Sequence, residues 1–256
     1  MSLEIKNLIL GYEDKNIVNN INLSIPKGEI TILIGANGCG KSTLLNGMSR
    51  LIIPIAGNVF LEGKAIHSYK PKELAKKLAI LPQAPLAPEG ITVKELCYFG
   101  RNPYKGLFDG ISKEDEEKVE WAIEVTGLKE FSERSLDSLS GGQRQRAWIA
   151  MALTQDTDIL LLDEPTTYLD LAYQIEILNL LKELNKKTKK TIVIVIHELN
   201  QAARYADNLV CMKKGEIYSE GKVEDIFTVK MLKDVFGIDS IIIEDPITKK
   251  PMCIPK

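Results

Sequence analysis

The chain has 256 residues, of which 45% are hydrophobic and 27% are charged, which suits one large globular domain with a substantial core. Its formal net charge of −2 lacks the basic surplus of a nucleic-acid-binding protein, so we expect no nucleic-acid partner. No apolar run approaches the roughly 18 residues that span a bilayer, and the first residues lack a signal-peptide core, so we expect a cytosolic chain unless a partner holds it at a membrane.

The N-terminal part of the chain predicts β-structure. Residues 3–34 alternate polar and apolar positions and then become fully apolar, which is typical of antiparallel strands leading into a central buried strand. Glycine-centred turns are predicted at 26–28 and 61–64. A further strand is predicted over 78–81, where Pro82 ends it.

The segment Gly35–Ser42 follows the buried strand and precedes a predicted helix. It fits Gly-x-x-x-x-Gly-Lys-Ser, the phosphate-binding loop of nucleotide-hydrolysing enzymes. The glycines let backbone N–H groups approach a triphosphate, and the helix N-terminus adds positive dipole. Lys41 is predicted to reach the outer phosphates, and the Ser42 hydroxyl to ligate Mg²⁺. The predicted nucleotide contacts of this loop are Gly35, Asn37, Gly38, Cys39, Gly40, Lys41, Ser42 and Thr43.

The four cysteines are far apart in the sequence, with no Cys-x-x-Cys pair, and we expect free thiols rather than disulfides or a zinc site. Cys39 lies within the phosphate-binding loop. We expect its thiol to face, or nearly face, the nucleotide, and a helix N-terminus to favour the reactive thiolate.

Residues 84–138 contain scattered prolines and glycines and an acidic helix from Glu114 to Thr126, which predicts a mostly helical insertion. The segment Leu139-Ser140-Gly141-Gly142-Gln143 then precedes a predicted helix over 144–153. Ser140 can cap that helix while the glycines leave its first N–H groups accessible, which gives a second anion site. A flexible linker with a capped helix explains the same residues, and both interpretations stay open.

Two more apolar runs, 158–163 and 191–196, predict buried strands. Between them, an amphipathic helix is predicted over 171–187, with Ile175, Leu178, Leu181 and Leu184 on one stripe. The alternation of strand and helix predicts an α/β fold whose parallel sheet is covered on both faces.

Asp163 and Glu164 stand at the carboxyl end of the first of these strands. Ligands of parallel sheets bind outside such strand ends. Asp163 is therefore predicted to hold a Mg²⁺ shell, and Glu164 to polarise the attacking water. The alternative is a strand-end turn with two solvated acids.

The order of phosphate loop, Leu-Ser-Gly-Gly-Gln, apolar strand with Asp-Glu, and apolar strand with His closely resembles the ATP-binding-cassette (ABC) ATPases over nearly the whole chain. The resemblance implies a phosphate-loop NTPase core with a mostly parallel sheet, an N-terminal antiparallel β region and a helical subdomain insertion. It implies a single ABC ATPase domain with its core over 1–83 and 158–230, the insertion over 84–157 and a C-terminal hairpin extension over 231–256.

The resemblance also implies ATP and Mg²⁺ as ligands and a head-to-tail homodimer with two ATP molecules at its interface. Each ATP would lie between the phosphate loop of one chain and four residues of the other, which are Ser140, Gly141, Gly142 and Gln143. One chain then carries two half-sites for the same ligand.

Further residues receive roles by resemblance. Gln83 matches a glutamine that contacts Mg²⁺ and the attacking water, and His197 matches a histidine that contacts the γ-phosphate. Tyr12 matches an aromatic residue that stacks on adenine, with a half-buried strand tyrosine as the alternative. Asp170 matches an aspartate that links the two sites across the dimer, and it can also cap a helix. The expected catalytic set is Glu164, His197, Gln83 and Lys41, and the expected metal ligands are Ser42, Gln83 and Asp163.

Finer features resemble the iron-chelate and cobalamin importer ATPases: Gly100-Arg101-Asn102-Pro103-Tyr104, the segment 164–170 and the tail from Ile241. They imply an ATPase pair bound to an integral membrane permease, peripheral on the cytoplasmic face and served indirectly by an external substrate-binding protein. The expected cargo is an iron(III)–siderophore complex, with cobalamin, haem and molybdate open. A non-transport ABC ATPase acting as a nucleotide switch is the alternative of a different class.

Overall fold

The computed structural model describes residues 3–13, 15–106 and 109–256, and this part of the chain forms two compact units. One unit is Tyr69–Leu184. The other, which we call the flanking unit, consists of the chain up to Ser68 and from Asn185 onward. The domain boundaries expected from the sequence stay predictions.

In chain order, the strands are β1 (Leu3–Tyr12), β2 (Lys15–Ile25), β3 (Ile30–Gly35), β4 (Ala56–Leu61), β5 (Lys64–Ala65), β6 (Leu78–Leu81), β7 (Ile159–Asp163), β8 (Thr191–Val195), β9 (Asn208–Lys213), β10 (Glu216–Lys222), β11 (Ser240–Glu244) and β12 (Pro251–Pro255). The α-helices are α1 (Lys41–Met48), α2 (Pro71–Ala75), α3 (Val93–Phe99), α4 (Lys113–Val125), α5 (Gly141–Thr154), α6 (Leu171–Thr188), α7 (Leu199–Tyr205), α8 (Val223–Ile226) and α9 (Val229–Met231). Within the described ranges, none of the helices combines the length and hydropathy that crossing a bilayer requires.

The flanking unit contains an antiparallel sheet in the order β2-β1-β4-β5. Leu3 on the central strand β1 pairs with Ile25 on one side and Leu61 on the other. Alternate residues of β1 are buried, because one face of the sheet meets the core and the other meets solvent. This arrangement confirms the antiparallel region predicted for the N-terminal part of the chain.

Strand β3 is the buried centre of the second sheet of the flanking unit. All six of its residues are buried, and it pairs in parallel with β8 through Leu33–Val195 and with β9 through Leu33–Val210. Strand β10 adds an antiparallel edge to β9. The apolar runs that predicted buried strands therefore mark a parallel sheet, as expected for strands covered on both faces.

The C-terminal tail forms the expected hairpin, in which Ile241 pairs with Ile254. The hairpin is tied to both ends of α7. Near the start of α7, the Asn200 side-chain amide exchanges hydrogen bonds of 2.8 and 3.1 Å with the Cys253 backbone. Near its end, the Arg204 guanidinium donates hydrogen bonds of 2.9 and 3.3 Å to the two oxygens of the Asp245 carboxylate.

The unit Tyr69–Leu184 contains the parallel pair β6 and β7, joined in register from Leu78–Ile159 to Leu81–Leu162. Helices α3, α4 and α5 pack on one another beside it. The stripe predicted for α6 is shifted slightly. Leu178, Leu181 and Leu184 are buried, but Ile177 is buried in place of Ile175, which is half-exposed.

Arg101 is a buried charge at the centre of these helices and is only 1% exposed. Its guanidinium donates to Asp115 Oδ1 at 2.7 Å and to the Thr154 carbonyl at 3.0 Å, and it lies 3.9 Å from the Tyr104 ring centre. Burial alone would raise the pKa of Asp115, but hydrogen bonds from Arg101 and Ser112 outweigh it and hold that pKa below its usual value. The segment 100–104 therefore fastens α3 to α4 and α5.

We expect Arg101→Leu to destabilise the protein by about 3–5 kcal/mol, because it leaves the Asp115 carboxylate buried without its charged partner. Arg134→Leu is the matched control. That arginine is exposed and lies over Phe131, so we expect its loss to cost at most about 1 kcal/mol. Urea unfolding of both variants measures the difference, and equal midpoints would contradict the role given to Arg101.

Candidate active site

The phosphate-binding loop connects β3 to α1 and is open on one side. Ala36, Asn37 and Gly38 are exposed there, whereas Lys41 is only 5% exposed. The Lys41 ammonium donates to the carbonyls of Gly35 at 2.8 Å and Ala36 at 3.2 Å. A cation held among loop backbone at the N-terminus of an eight-residue helix suits a phosphate group.

The glycines of this loop serve different physical needs. At Gly35 a Cβ would lie 2.4 Å from the Met212 carbonyl oxygen on β9, so no side chain fits. At Gly38 a Cβ would meet nothing, but the backbone φ of 73° disfavours any other residue. The loop is therefore crowded where it meets the sheet and free where it meets solvent.

Neighbouring backbone holds the loop in place. The Cys39 carbonyl accepts a 3.0 Å hydrogen bond from Gly215, in the turn between β9 and β10, and Asn19 on β2 donates to Gly215 at 2.8 Å. A Cβ at Gly40 would lie 3.1 Å from the Ile17 carbonyl oxygen. The loop is thus bounded by β2 and by the β9–β10 turn, both remote in sequence.

Tyr12 lies in the same unit, at the last position of β1, where it pairs with Lys15 across the β1–β2 turn. Its side chain is 53% exposed. Tyr12 pairs with Lys15, and Lys15 is two residues before Ile17, the residue of β2 that contacts the phosphate loop. Tyr12 therefore lies on the strand next to that contact. An exposed ring at this end of the sheet is compatible with the adenine-stacking role, which stays a prediction.

The Cys39 thiol is buried, and its expected position facing, or nearly facing, the nucleotide stays a prediction. Its side chain is only 5% exposed, and its sulfur would lie 2.6 Å from a Cβ on Gly35. The Lys41 amine is 3.9 Å from the same sulfur. The thiol therefore points under the loop, while its backbone carbonyl faces Gly215. All four cysteines are free and buried, as the absence of a pairing pattern predicted.

Asp163 and Glu164 end β7 with different exposures. Asp163 is 5% exposed, whereas Glu164 is half-exposed with a left-handed φ of 51°. Glu164 Oε2 accepts hydrogen bonds from Gln83 at 2.6 Å and from the Thr167 hydroxyl at 3.0 Å. The structure therefore brings Gln83 and Glu164 together. Thr167, which lies outside the set of site residues predicted from the sequence, joins them because the chain turns tightly after β7.

Ser140 caps α5, as predicted. Its hydroxyl accepts from the Gln143 N–H at 3.3 Å, and the Gln143 side chain accepts from the Ser140 N–H at 3.0 Å, which completes a capping box. The helix begins at Gly141, earlier than the predicted 144. Asp170 caps α6 by accepting from the Tyr173 N–H at 3.2 Å. Both caps are present whatever further roles these residues have.

His197 is exposed in the flanking unit, between β8 and α7. The Glu198 side chain caps α7 by accepting from the N–H groups of Asn200 and Gln201, which fixes the backbone directly after the histidine. An exposed imidazole at this position has access to a solvent-borne ligand. Its γ-phosphate contact stays a prediction.

Ser42 and Asp163 both offer oxygen ligands, the type that Mg²⁺ prefers. Ser42 is half-buried at the start of α1. Among the residues that the structure describes, no three His, Cys, Asp or Glu side chains gather as a metal cage. Each of these side chains, taken by itself, is a donor that suits Mg²⁺, which keeps several waters and combines substrate phosphates with one or two protein carboxylates. Their shared role as metal ligands stays a prediction.

Comparison with known proteins gives the family. Residues 18–167 match the family model described as ABC transporter. The chain belongs to the ABC transporter family. Its α/β phosphate-loop ATPase fold, expected from the sequence, is therefore confirmed, as is its nature as a nucleotide-binding ATPase coupled to transport.

Similar proteins extend over the whole length of this ABC protein. It is 55% identical to "Probable siderophore transport system ATP-binding protein YusV" of Bacillus subtilis (strain 168), covering 99% of this chain and 92% of that protein. It is 54% identical to "Iron(3+)-hydroxamate import ATP-binding protein FhuC" of the same organism, covering 99% and 94%. A solved dimeric ATP-binding cassette in a post-hydrolysis state, bound to ADP and Pi, is 31% identical with a TM-score of 0.75, covering 86% and 98%.

The burial of Cys39 predicts slow chemistry at its thiol. We expect maleimide to modify Cys39 in the native protein roughly 100-fold more slowly than in denaturant, because reaction requires local opening of the loop. The control is Leu86→Cys, at a position that is 95% exposed and should react at once. Peptide mapping by mass spectrometry separates the sites, and equal native rates at positions 39 and 86 would contradict the buried orientation.

Proposed function

We propose that this chain is the ATP-hydrolysing subunit of an importer that takes up an iron(III)–siderophore complex through a separate membrane permease. The observation that carries the proposal is the similarity to two relatives above 50% identity, both matched over 99% of this chain and named for siderophore transport and iron(3+)-hydroxamate import. Similarity of this extent supports a shared class of cargo.

The phosphate loop supports the binding half of this function. Lys41 would exchange its hydrogen bonds with the Gly35 and Ala36 carbonyls for contacts with the β- and γ-phosphates of ATP, and the loop N–H groups would surround them. The Tyr12 ring would stack on adenine.

Ser42 and Asp163 would hold Mg²⁺, with Gln83 as a further ligand. The bound metal would neutralise charge that develops on the phosphates.

Glu164 is proposed as the general base that takes a proton from the water attacking the γ-phosphate. Gln83 and Thr167 both donate to its Oε2 oxygen, and these two hydrogen bonds hold the carboxylate in one orientation. Through this contact Gln83 would position Glu164 relative to the attacking water, and His197 would contact the γ-phosphate.

We further propose a head-to-tail homodimer. Ser140–Gln143 presents the N-terminus of the 14-residue helix α5, which suits the phosphates of an ATP bound to the second chain. Asp170 would meet the partner at the same interface. The solved relative described as dimeric and bound to ADP and Pi supports this arrangement.

The relative that is 54% identical is named as an ATP-binding protein of iron(3+)-hydroxamate import, and this name supports a membrane permease as the partner of this chain. In this proposal the ATPase pair is peripheral at the cytoplasmic face of the membrane. An external substrate-binding protein would deliver the cargo to the permease and would not touch this chain. The helical segment 84–138 is the proposed docking surface for the permease.

Replacing the proposed base tests the hydrolytic assignment. We expect Glu164→Gln to lower kcat by 10²- to 10⁴-fold, on the scale of lost general-base action, while ATP affinity stays unchanged because the phosphate loop is intact. The variant should accumulate as an ATP-bound dimer on gel filtration. Glu130→Gln, an exposed acid elsewhere in the same unit, is the control, and wild-type turnover in Glu164→Gln would remove Glu164 from the mechanism.

Reconstitution tests the transport assignment. The chain is co-purified with its permease, inserted into proteoliposomes and supplied with ATP and either ferric siderophore, cobalamin, haem or molybdate. We expect ATP-dependent uptake of the ferric siderophore alone, and none with the Glu164→Gln protein. Uptake of another cargo instead would refute the iron assignment and keep the importer. Failure to associate with any membrane protein, together with slow turnover and tightly held ATP, would favour a nucleotide switch.

A further inference from the structure

The two glycines of Ser140–Gln143 have different neighbours within their own chain. A Cβ at Gly142 would lie 2.7 and 2.8 Å from two ring atoms of Tyr173, in the first turn of α6, and 3.2 Å from its Cβ. A Cβ at Gly141 would lie 3.5 Å from Leu169, which is ordinary van der Waals contact. Neither glycine has a positive φ, so no special backbone conformation requires glycine at either position.

The contact between α5 and α6 continues one turn further along both helices. Arg146, four residues after Gly142, forms an ion pair with Glu176, three residues after Tyr173. Residues spaced by three or four lie on the same helix face. The pairs Gly142–Tyr173 and Arg146–Glu176 therefore connect successive turns of α5 and α6.

The start of α6 is itself connected to the proposed base. The Tyr173 N–H is capped by Asp170, and the tight turn before it includes Thr167, which donates to Glu164. Tyr173 thus packs the segment that bears Glu164 and Asp170 against the segment that bears Ser140 and Gln143. In the proposed function, Glu164 serves the ATP of its own chain and Asp170 meets the partner at the dimer interface, whereas Ser140 and Gln143 serve the ATP of the partner.

We infer that Tyr173 is a positioning residue, which fixes Ser140–Gln143 relative to the start of α6, and that glycine is required at position 142 because Tyr173 occupies the space of a side chain. The expected effect on ATP hydrolysis rests on the proposed function. The requirement for glycine at position 142 depends only on the contact between Gly142 and Tyr173. Among the described residues, a Cβ at Gly141 would meet Leu169 at an ordinary contact distance, which makes Gly141 the matched control.

A double-mutant cycle separates this packing from direct contact with nucleotide. In the wild-type background, we expect Gly142→Ala to lower kcat on the order of 100-fold, the scale of a misplacement of about 1 Å. In a Tyr173→Ala background, whose own kcat should be about tenfold below wild type, the same change should cost less than about twofold, because the new methyl enters the vacated space. Monomer affinity for ATP should be equal in all four proteins, since the phosphate loop is unchanged.

Two further comparisons complete the design. Gly141→Ala should cost the same factor in kcat in both backgrounds. Tyr173→Phe should behave as wild type, because the contacts with position 142 come from the ring and Cβ, not from the hydroxyl. An equal loss from Gly142→Ala in both backgrounds would overturn the inference, as would rescue of Gly141→Ala by Tyr173→Ala.

Melting temperatures keep the inference testable apart from activity. Gly142→Ala should lower the melting temperature in the wild-type background and leave it unchanged in the Tyr173→Ala background. If the wild-type protein hydrolyses no ATP, the proposed function fails, and the inference is decided by this thermal cycle alone. Additive melting shifts would then refute it.

Discussion

The phosphate loop depends on a single constraint, the close approach of the β9 backbone to the end of β3. The space for a side chain at Gly35 is filled by the Met212 carbonyl oxygen, and the β9–β10 turn binds the Cys39 carbonyl. Because these neighbours are backbone atoms of a paired sheet, they cannot move aside cheaply. The sheet therefore holds the loop in place before any ligand binds, so phosphate binding costs little further conformational entropy.

The second unit is organised by a different means, a buried polar centre. Arg101 joins three helices through a carboxylate, a carbonyl and an aromatic face. Such a centre is directional, whereas apolar contacts between helices tolerate rotation and sliding. The resemblance to importer ATPases at Gly100–Tyr104 thus marks a stabilising residue of the helical unit, and no cargo contact is needed to explain it.

Much of this structure could be predicted because its signals are local. Apolar runs of five or six residues predict β3, β7 and β8, and a serine just before a predicted helix predicts the cap of α5. The burial of the Cys39 side chain could not be predicted, because its sulfur lies beside Gly35, against the Met212 carbonyl of β9, a strand far along the chain. The crowding at Gly142 depends in the same way on Tyr173. The sequence places Ile175 on the buried stripe of α6, but Ile177 is buried instead. With 3.6 residues per turn, positions at the edge of an apolar stripe are hard to distinguish.

The hairpin at the end of the chain recognises α7 largely through main-chain atoms. Asn200 bonds to the amide and carbonyl of Cys253, and Lys250 donates to the Ala206 carbonyl. The Arg204–Asp245 pair, by contrast, requires particular side chains on both sides. The outward-facing Ile241, Ile243 and Ile254 take no part in these bonds and are each about 40% exposed. Residues on the outer surface of the hairpin can therefore be substituted without loss of the hydrogen bonds that hold α7, the helix that follows His197, in position.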